Sequence, residues 1–347
     1  MPLDDRKKLI LQAIVDDYVT TCEPVGSKAL IERHNFPVSS ATLRNEMAEL
    51  ERLGYIEKPH TSAGRIPSDK GYREYVDSLM KVDKLSEEDA EEIASRISGS
   101  VNEVSDLLRN ATNELSLSTG YVSLVLTPRL KKSYLTQLKM LMIEPGKALV
   151  VVVLSAGVVK DKLVRIPNFL TDSQIFQISK AVEQQLSGMP LDEITLITVA
   201  SSVKDSDIPD SLLNQVLYEA YTAIKQADRL DVYLEGEHRI LSLPEFNDVS
   251  RARDLLDTLS NDGMVAGYVN ELGAEDADGS YMIRIGQEIA LEGLEDCSFI
   301  TTTYKLGDQV SGNIGVIGPK RMDYSKVISQ INFVRKTLNE EIRKING

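Results

Sequence analysis

Apolar and polar residues alternate along this chain in two rhythms, and the rhythm changes near residue 120. Before it the period is helical. Leu9, Ile10, Ala13, Ile14 and Val15 recur at helical spacing with Asp16 and Asp17 outside, which predicts a helix over residues 6–19. Pro24 and Gly26 punctuate, and a short helix over 27–33 follows. The turn Asn35-Phe36-Pro37-Val38 leads to a third helix, with Ser39 or Ser40 as N-cap, running through Leu53 to a stop at Gly54. Tyr55 to Pro59 is extended, Ser62-Ala63-Gly64 is a turn, and Arg65-Ile66-Pro67 returns. Ser68 then caps a fourth helix carrying Tyr72, Tyr75, Val76 and Leu79 on one face.

Residues 81–118 read as a helical connector. Ser86 with Asp89 forms a capping-box pattern. Val101, Val104, Leu108, Ala111 and Leu115 then make a seam of about two heptads. Such a seam packs on its own domain or joins a dimer interface, and is too short to establish a coiled coil.

After Gly120 the period is that of strands. Tyr121–Leu126, Leu135–Ile143 and Ala148–Val153 are strand candidates, with Glu144-Pro145-Gly146-Lys147 as a turn. Helices are expected over Asp172–Leu186, Ile208–Ala227 and Ser250–Leu259. The acidic stretch Leu272–Gly279 reads as a boundary. Strands resume at Tyr281–Ile285, Cys297–Tyr304 and Ile314–Ile317, and a last helix covers Tyr324–Lys344. Strands on both sides of a mostly helical block predict an α+β fold with a helical insertion. The expected boundaries are 1–80, 81–118, one unit from 119–189 and 279–347, and an insertion at 190–278.

The chain has 347 residues, enough for two or three domains, and 42% hydrophobic with 27% charged residues is ordinary globular usage. Cys22 and Cys297 are far apart, and His34, His60 and His238 are scattered, so neither a disulfide framework nor a metal site is expected. No apolar run approaches the ~20 residues of a spanning helix, and the polar start is unlike a signal peptide. A soluble, cytoplasmic protein is expected.

The net charge of −14 argues against nucleic acid until its distribution is read. Residues 1–80 carry 11 Lys and Arg against 13 Asp and Glu, and residues 81–347 carry 28 against 40. Segment 58–73 holds Lys58, Arg65, Lys70 and Arg73 against Asp69, a local net of +3. A basic patch on an acidic protein can meet a phosphate backbone while the rest discourages indiscriminate binding.

Three helices followed by a hairpin within ~70 residues is the plan of a winged helix-turn-helix, whose third helix enters the major groove. On helix 39–53, Leu43, Met47 and Leu50 form the core stripe. The opposite face holds Ala41, Asn45, Ala48 and Arg52, flanked by Thr42, Arg44 and Glu49. Arg reads guanine O6/N7 and Asn pairs with adenine, while alanines permit close approach. Ser39 and Ser40 offer a helix start to phosphate. The hairpin tip, Pro59 to Arg65, is small and polar, with Lys58 and Arg65 at its base. The candidate DNA contacts are therefore Ser39, Ser40, Thr42, Arg44, Asn45, Lys58, His60, Thr61, Ser62 and Arg65. The bland alternatives are a solvated helix face and a plain solvent hairpin.

Three stretches carry a resemblance. Glu23-Pro24-Val25-Gly26-Ser27, the run Val38 to Gly54, and Pro59-His60-Thr61-Ser62-Ala63-Gly64-Arg65-Ile66-Pro67 continuing to Arg73 resemble the HrcA family, as does Gly315 to Tyr324. The resemblance implies a heat-inducible repressor of chaperonin and Hsp70 operons. It implies a winged helix, a GAF-like domain and an inserted dimerisation domain. It further implies an inverted-repeat operator, CIRCE, read by a homodimer kept active by a GroEL-type chaperonin. It names no cofactor. Leu149–Leu154, β-prone and uncharged, gives chaperonin dependence a physical basis: it is an aggregation hazard if exposed and a plain central strand when buried.

No Ser/His/Asp context, P-loop or HExxH is present, so an enzyme is not expected. Gly312-Asn313-Ile314-Gly315-Val316-Ile317-Gly318 is GxxGxxG, read as turn glycines. A metabolite-sensing regulator and a pure interaction protein remain as alternatives.

Overall fold

A computed structural model of the chain describes residues 3–60, 63–98, 104–127, 133–155, 158–203, 210–227, 231–274, 280–306 and 310–346. Helix α1, Asp5–Thr21, starts where the Asp4 carboxylate accepts the Lys7 backbone N–H. Its buried stripe includes Ile10, Leu11, Ile14 and Val15, while Leu9 faces outward. The expected outer acids are both engaged: Asp17 is buried and takes Arg33 at 3.0 Å and His34 at 2.9 Å, and Asp16 accepts from the Tyr75 hydroxyl. Helices α2, Ser27–His34, and α3, Ser40–Arg52, follow. Gly54, at φ +80°, ends α3 in the left-handed conformation that glycine adopts at least cost. Strands β1, Ile56–Glu57, and β2, Ile66–Pro67, pair antiparallel, and Ser68 caps α4, Asp69–Glu74.

Helices α5, Glu87–Ile97, and α6, Val104–Thr119, form the connector. Leu108, Ala111 and Leu115 of the seam are buried inside the same chain, so that seam packs on its own domain; Val101 lies outside the described residues. Strand β3, Val122–Leu126, comes next. A meander then forms a sheet of its own: β4, Leu135–Glu144, β5, Lys147–Leu154, and β6, Val159–Arg165. Helices α7, Asp172–Leu186, α8, Leu196–Ala200, and α9, Asp210–Ala227, follow it. Helices α7 and α9 cover one face of the meander, where Met140, Val150 and Val152 are buried.

The chain then returns to β3. Strand β7, Val232–Glu235, pairs with it in register Ser123 to Glu235. Helices α10, Glu237–Ile240, α11, Val249–Leu259, and α12, Asp262–Ala274, precede β8, Met282–Ile285. Strands β9, Cys297–Leu306, and β10, Val310–Pro319, complete a five-stranded antiparallel sheet of order β7-β3-β10-β9-β8. Helix α13, Tyr324–Asn346, packs with α6 on one face of this sheet. The period-two alternation sorts the two faces. Val125, Ile300, Ile314 and Val316 belong to the main core, while Val122, Leu124, Leu126, Phe299 and Ile317 pack with α10 to α12.

Mixed α and β structure matches the expectation; sheet membership cuts across the expected boundaries. The strands at 135–165 do not bond to β3, and Val232–Glu235, placed by sequence in the helical insertion, does. Four half-buried residues carried too weak an alternation to read as a strand. Gly312, Gly315 and Gly318 lie within β10 rather than at turns. A Cβ at Gly312 would meet the Tyr304 ring at 2.5 Å, and one at Gly315 the Ile300 carbonyl at 2.6 Å. Close packing in a central strand explains them. Among the described residues no helix is long and apolar enough to cross a membrane.

Candidate nucleic-acid interface

The surface is assembled by the starts of two helices and the hairpin. Leu43, Met47 and Leu50 bury one stripe of α3. Helix α1 holds a second flank, with Lys7 Nζ 3.2 Å from Glu46 Oε2. What remains outward is Ala41, Arg44, Asn45 and Ala48, all exposed. Among the described residues the side chains of Arg44 and Asn45 enter no hydrogen bond or ion pair, so their donors are available to a ligand. Arg52 is committed: its guanidinium grips Glu49 at 2.8 and 2.7 Å.

At the start of α3 the Ser39 hydroxyl accepts the Thr42 backbone N–H at 3.1 Å and lies 3.0 Å from the Thr42 hydroxyl. Ser40 Oγ is 3.2 Å from Ser27 Oγ, which ties the starts of α2 and α3 together. Gly26 caps α2 with no side-chain acceptor, so the first backbone N–H groups of α2 have no side-chain cap.

The hairpin is pinned to the strand-like residues before α2. Val25 N–H donates to the Arg65 carbonyl, and Arg65 N–H to the Val25 carbonyl, both at 2.8 Å. Gly64 makes this approach possible, since a Cβ there would lie 2.6 Å from the Pro24 and Val25 carbonyls. Two of the motifs that carry the resemblance thus meet in space. Lys58 and His60 are exposed, and Ala63 N–H closes the turn on the His60 carbonyl at 3.0 Å. Thr61 and Ser62 lie outside the described residues.

A groove of about 370 Å³ runs between these parts, lined by Gly26, Ser27, Lys28, Arg44, Lys58 and Gly64 among others, with no acidic side chain among its described lining residues. Three cations reach it from three elements, which is the electrostatic footprint of a polyanion site. Arg65 also borders it, but its side chain is only 14% exposed and its guanidinium sits 2.8 Å (Nε) and 2.6 Å (Nη2) from Glu51 Oε2. The +3 patch of segment 58–73 is accordingly spent mostly inside the protein. Lys70 donates to the Leu53 carbonyl and lies over the Tyr55 ring, and Arg73 is paired with Glu288.

Sequence reasoning missed Ser27 and Lys28. Their signal was the Gly-Ser start of a helix beside the hairpin motif, and it needed the Val25–Arg65 pairing to become meaningful. Among the described residues no cluster of His, Cys, Asp and Glu could hold a metal ion.

Residues 105–328 match the family model described as the HrcA protein C-terminal domain. The chain is 43% identical over 346 residues to the heat-inducible transcription repressor HrcA of Ruminiclostridium cellulolyticum, covering 99% of each chain. It is 40% identical to the same-named repressor of Acetivibrio thermocellus, covering 100% of this chain and 98% of that one. A crystal structure of a hypothetical protein shares the fold with a TM-score of 0.67 at 24% identity, over 99% of this chain and 100% of that chain.

Proposed function

The chain belongs to the HrcA family of heat-inducible transcription repressors, and from that premise we propose that it reads an inverted-repeat operator, CIRCE, as a homodimer. Residues 3–80 act as a winged helix. Helix α3 lies in the major groove with Arg44 and Asn45 toward base edges, and Ser39, Ser40 and Thr42 sit near the backbone where α3 begins. Lys58, His60, Thr61, Ser62 and Arg65 belong to the wing beside it, with Lys28 and the start of α2 on phosphate. The observation that carries this reading is the acid-free groove in which Lys28, Arg44 and Lys58 converge beside the unpaired outer face of α3. An overall charge of −14 leaves that groove as a local exception, which favours a specific site over general attraction.

The five-stranded sheet with its flanking helices corresponds to the GAF-like domain, and the inserted dimerising unit to residues 133–227. Leu141, Leu149 and Leu163 stand in cross-strand register on the meander face opposite α7 and α9. Leu141 is 51% and Leu163 60% exposed. An apolar face of this kind marks a contact surface, and a two-fold axis through it places two heads on one palindrome. The targets are chaperonin and Hsp70 operons in the cytoplasm. A GroEL-type chaperonin keeps the repressor active, since β5 is β-prone throughout and its outer residues Leu149, Val151 and Val153 are only half-buried.

A gel shift on CIRCE and on a shuffled duplex, with and without chaperonin, tests the reading. Retardation of CIRCE alone, strengthened by chaperonin after mild heating, is expected. Equal retardation of both duplexes would remove the operator reading, and no effect of chaperonin would remove that partner.

A further inference from the structure

The Gly315–Tyr324 stretch matches a family motif yet lines no part of the DNA-facing groove. It joins the two halves of the protomer through α4. Lys320 Nζ lies 2.9 Å from Asp69 Oδ1 and 3.6 Å from Asp296 Oδ1. The other Asp69 oxygen accepts the Gln287 backbone N–H at 3.1 Å, and Gly286 packs so closely on this carboxylate that a side chain there would collide with it. One turn along, Arg73 Nε donates to Glu288 Oε1 at 3.0 Å, and Nη2 donates to Oε2 and to the Ile283 carbonyl. Asp69 and Arg73 are four residues apart, so they share a helix face. Each meets an opposite charge on the C-terminal half. Between them the rings of Tyr72 and Tyr324 pack 6.2 Å apart.

The rest of α4 grips the recognition surface. Ser68 Oγ donates to the Gly54 carbonyl at 2.6 Å, and Lys70 Nζ to the Leu53 carbonyl at 2.8 Å, both at the end of α3. Gly71 abuts the Tyr55 backbone at the foot of the hairpin. Helix α4 is therefore a bracket with α3 and the wing on one side and β8, β10 and α13 on the other. The seam beside it combines apolar and polar contact: Tyr72 shares one continuous buried core with Met322, Tyr324 and Val327. A polar cavity of about 170 Å³ lies there, lined by Glu57, Tyr72, Glu245, Lys320 and Arg321 among others, and the buried Tyr72 hydroxyl has no partner among the described residues. The ion pairs orient the joint that this shared core and the Tyr72–Tyr324 contact hold together.

We propose that Lys320 and Glu288 are positioning residues for DNA recognition: by holding Asp69 and Arg73 they fix the recognition surface relative to the rest of the protomer. The inference rests on the dimeric DNA-binding reading above. The latched arrangement leaves Arg44, Asn45, Lys58 and His60 exposed, so the latch does not mask the site. Its effect is on the second half-site. With heads fixed, the second contact is intramolecular at high effective concentration; with heads loose, part of that advantage is lost.

The experiment compares the parent with Lys320→Met, Glu288→Gln, their combination and Lys320→Arg in the full-length protein. Affinity is measured for the full operator and for a duplex carrying one half-site, and exchange of the Gln287 amide is followed by mass spectrometry. The combined variant is expected to exchange Gln287 faster, to bind the half-site as the parent does, and to lose about tenfold on the full operator. Lys320→Arg is expected to restore all three. Faster exchange with unchanged operator affinity would overturn the latch, as would equal losses on both duplexes. If the combined variant lacks a cooperative melt, Glu288→Gln alone is read by the same criteria. A parent that binds neither duplex would overturn the DNA-binding reading and the latch with it.

Discussion

Arg65 and Glu51 face each other at the foot of the hairpin, with Nη2 2.6 Å from Oε2 and the arginine side chain 14% exposed. The pair joins the last turn of α3 to the returning strand. Read from sequence, Arg65 is a phosphate contact; in the fold its charge has a partner already. We expect Arg65→Ala to destabilise the protein by about 1.5–3 kcal/mol, the range for hydrogen bonds to charged groups. A double-mutant cycle with Glu51→Ala in denaturant melts should give a coupling of at least about 0.5 kcal/mol. Additive losses would show that the two side chains act separately.

The hairpin also depends on the bare backbone of Gly64. Gly64→Ala would set a methyl 2.6 Å from the Pro24 and Val25 carbonyls, and backbone cannot swing aside as a side-chain end can. A loss of about 1–3 kcal/mol is expected, as for overpacked sites, with weaker operator binding from a displaced wing. An unchanged melting temperature would mean that the Val25–Arg65 pairing is looser than the structure has it.

The exposed meander face makes a separate prediction. Leu141→Glu with Leu163→Glu adds charge to the outer face and touches neither α7 nor α9. Light scattering should report a folded monomer, with operator affinity reduced and half-site affinity kept. A double variant that stays dimeric would move the interface elsewhere.

The two thiols should differ. Cys297 is fully buried, and burial with Asp296 and Glu295 nearby pushes its thiol well above the ordinary range. Cys22 is half-buried and follows the last turn of α1. In native protein a thiol reagent should therefore modify Cys22, and Cys297 only as the chain unfolds. Rapid native labelling of both would contradict the packing of β9 against α12.

Much of the N-terminal part, residues 3–80, was legible because its signals are local. The Ser39 cap, the Leu43, Met47 and Leu50 stripe, the stop at Gly54 and the Ser68 cap each depend on neighbours within a few residues. The partners of its charges were not legible, because Arg65–Glu51, Arg73–Glu288 and Asp17–Arg33 span from 14 to 215 residues. Sheet membership failed for the same reason. Nothing in the short alternation of Val232–Glu235 says that it returns to β3 across more than a hundred residues, whereas β4 and β5 meet through the tight turn at Pro145-Gly146.

In the proposed complex two copies of α3 read two halves of one palindrome through Arg44 and Asn45. The most direct test is fluorescence anisotropy of the CIRCE duplex, a half-site duplex and a scrambled duplex at fixed salt, with the parent and with Arg44→Ala and Asn45→Ala. Two protomers per CIRCE duplex are expected, with tighter binding there than to the other duplexes and a loss of about 1–3 kcal/mol on CIRCE for each variant, with little change on scrambled DNA. Equal binding of CIRCE and scrambled duplex by the parent, or equal losses on both in the variants, would contradict it.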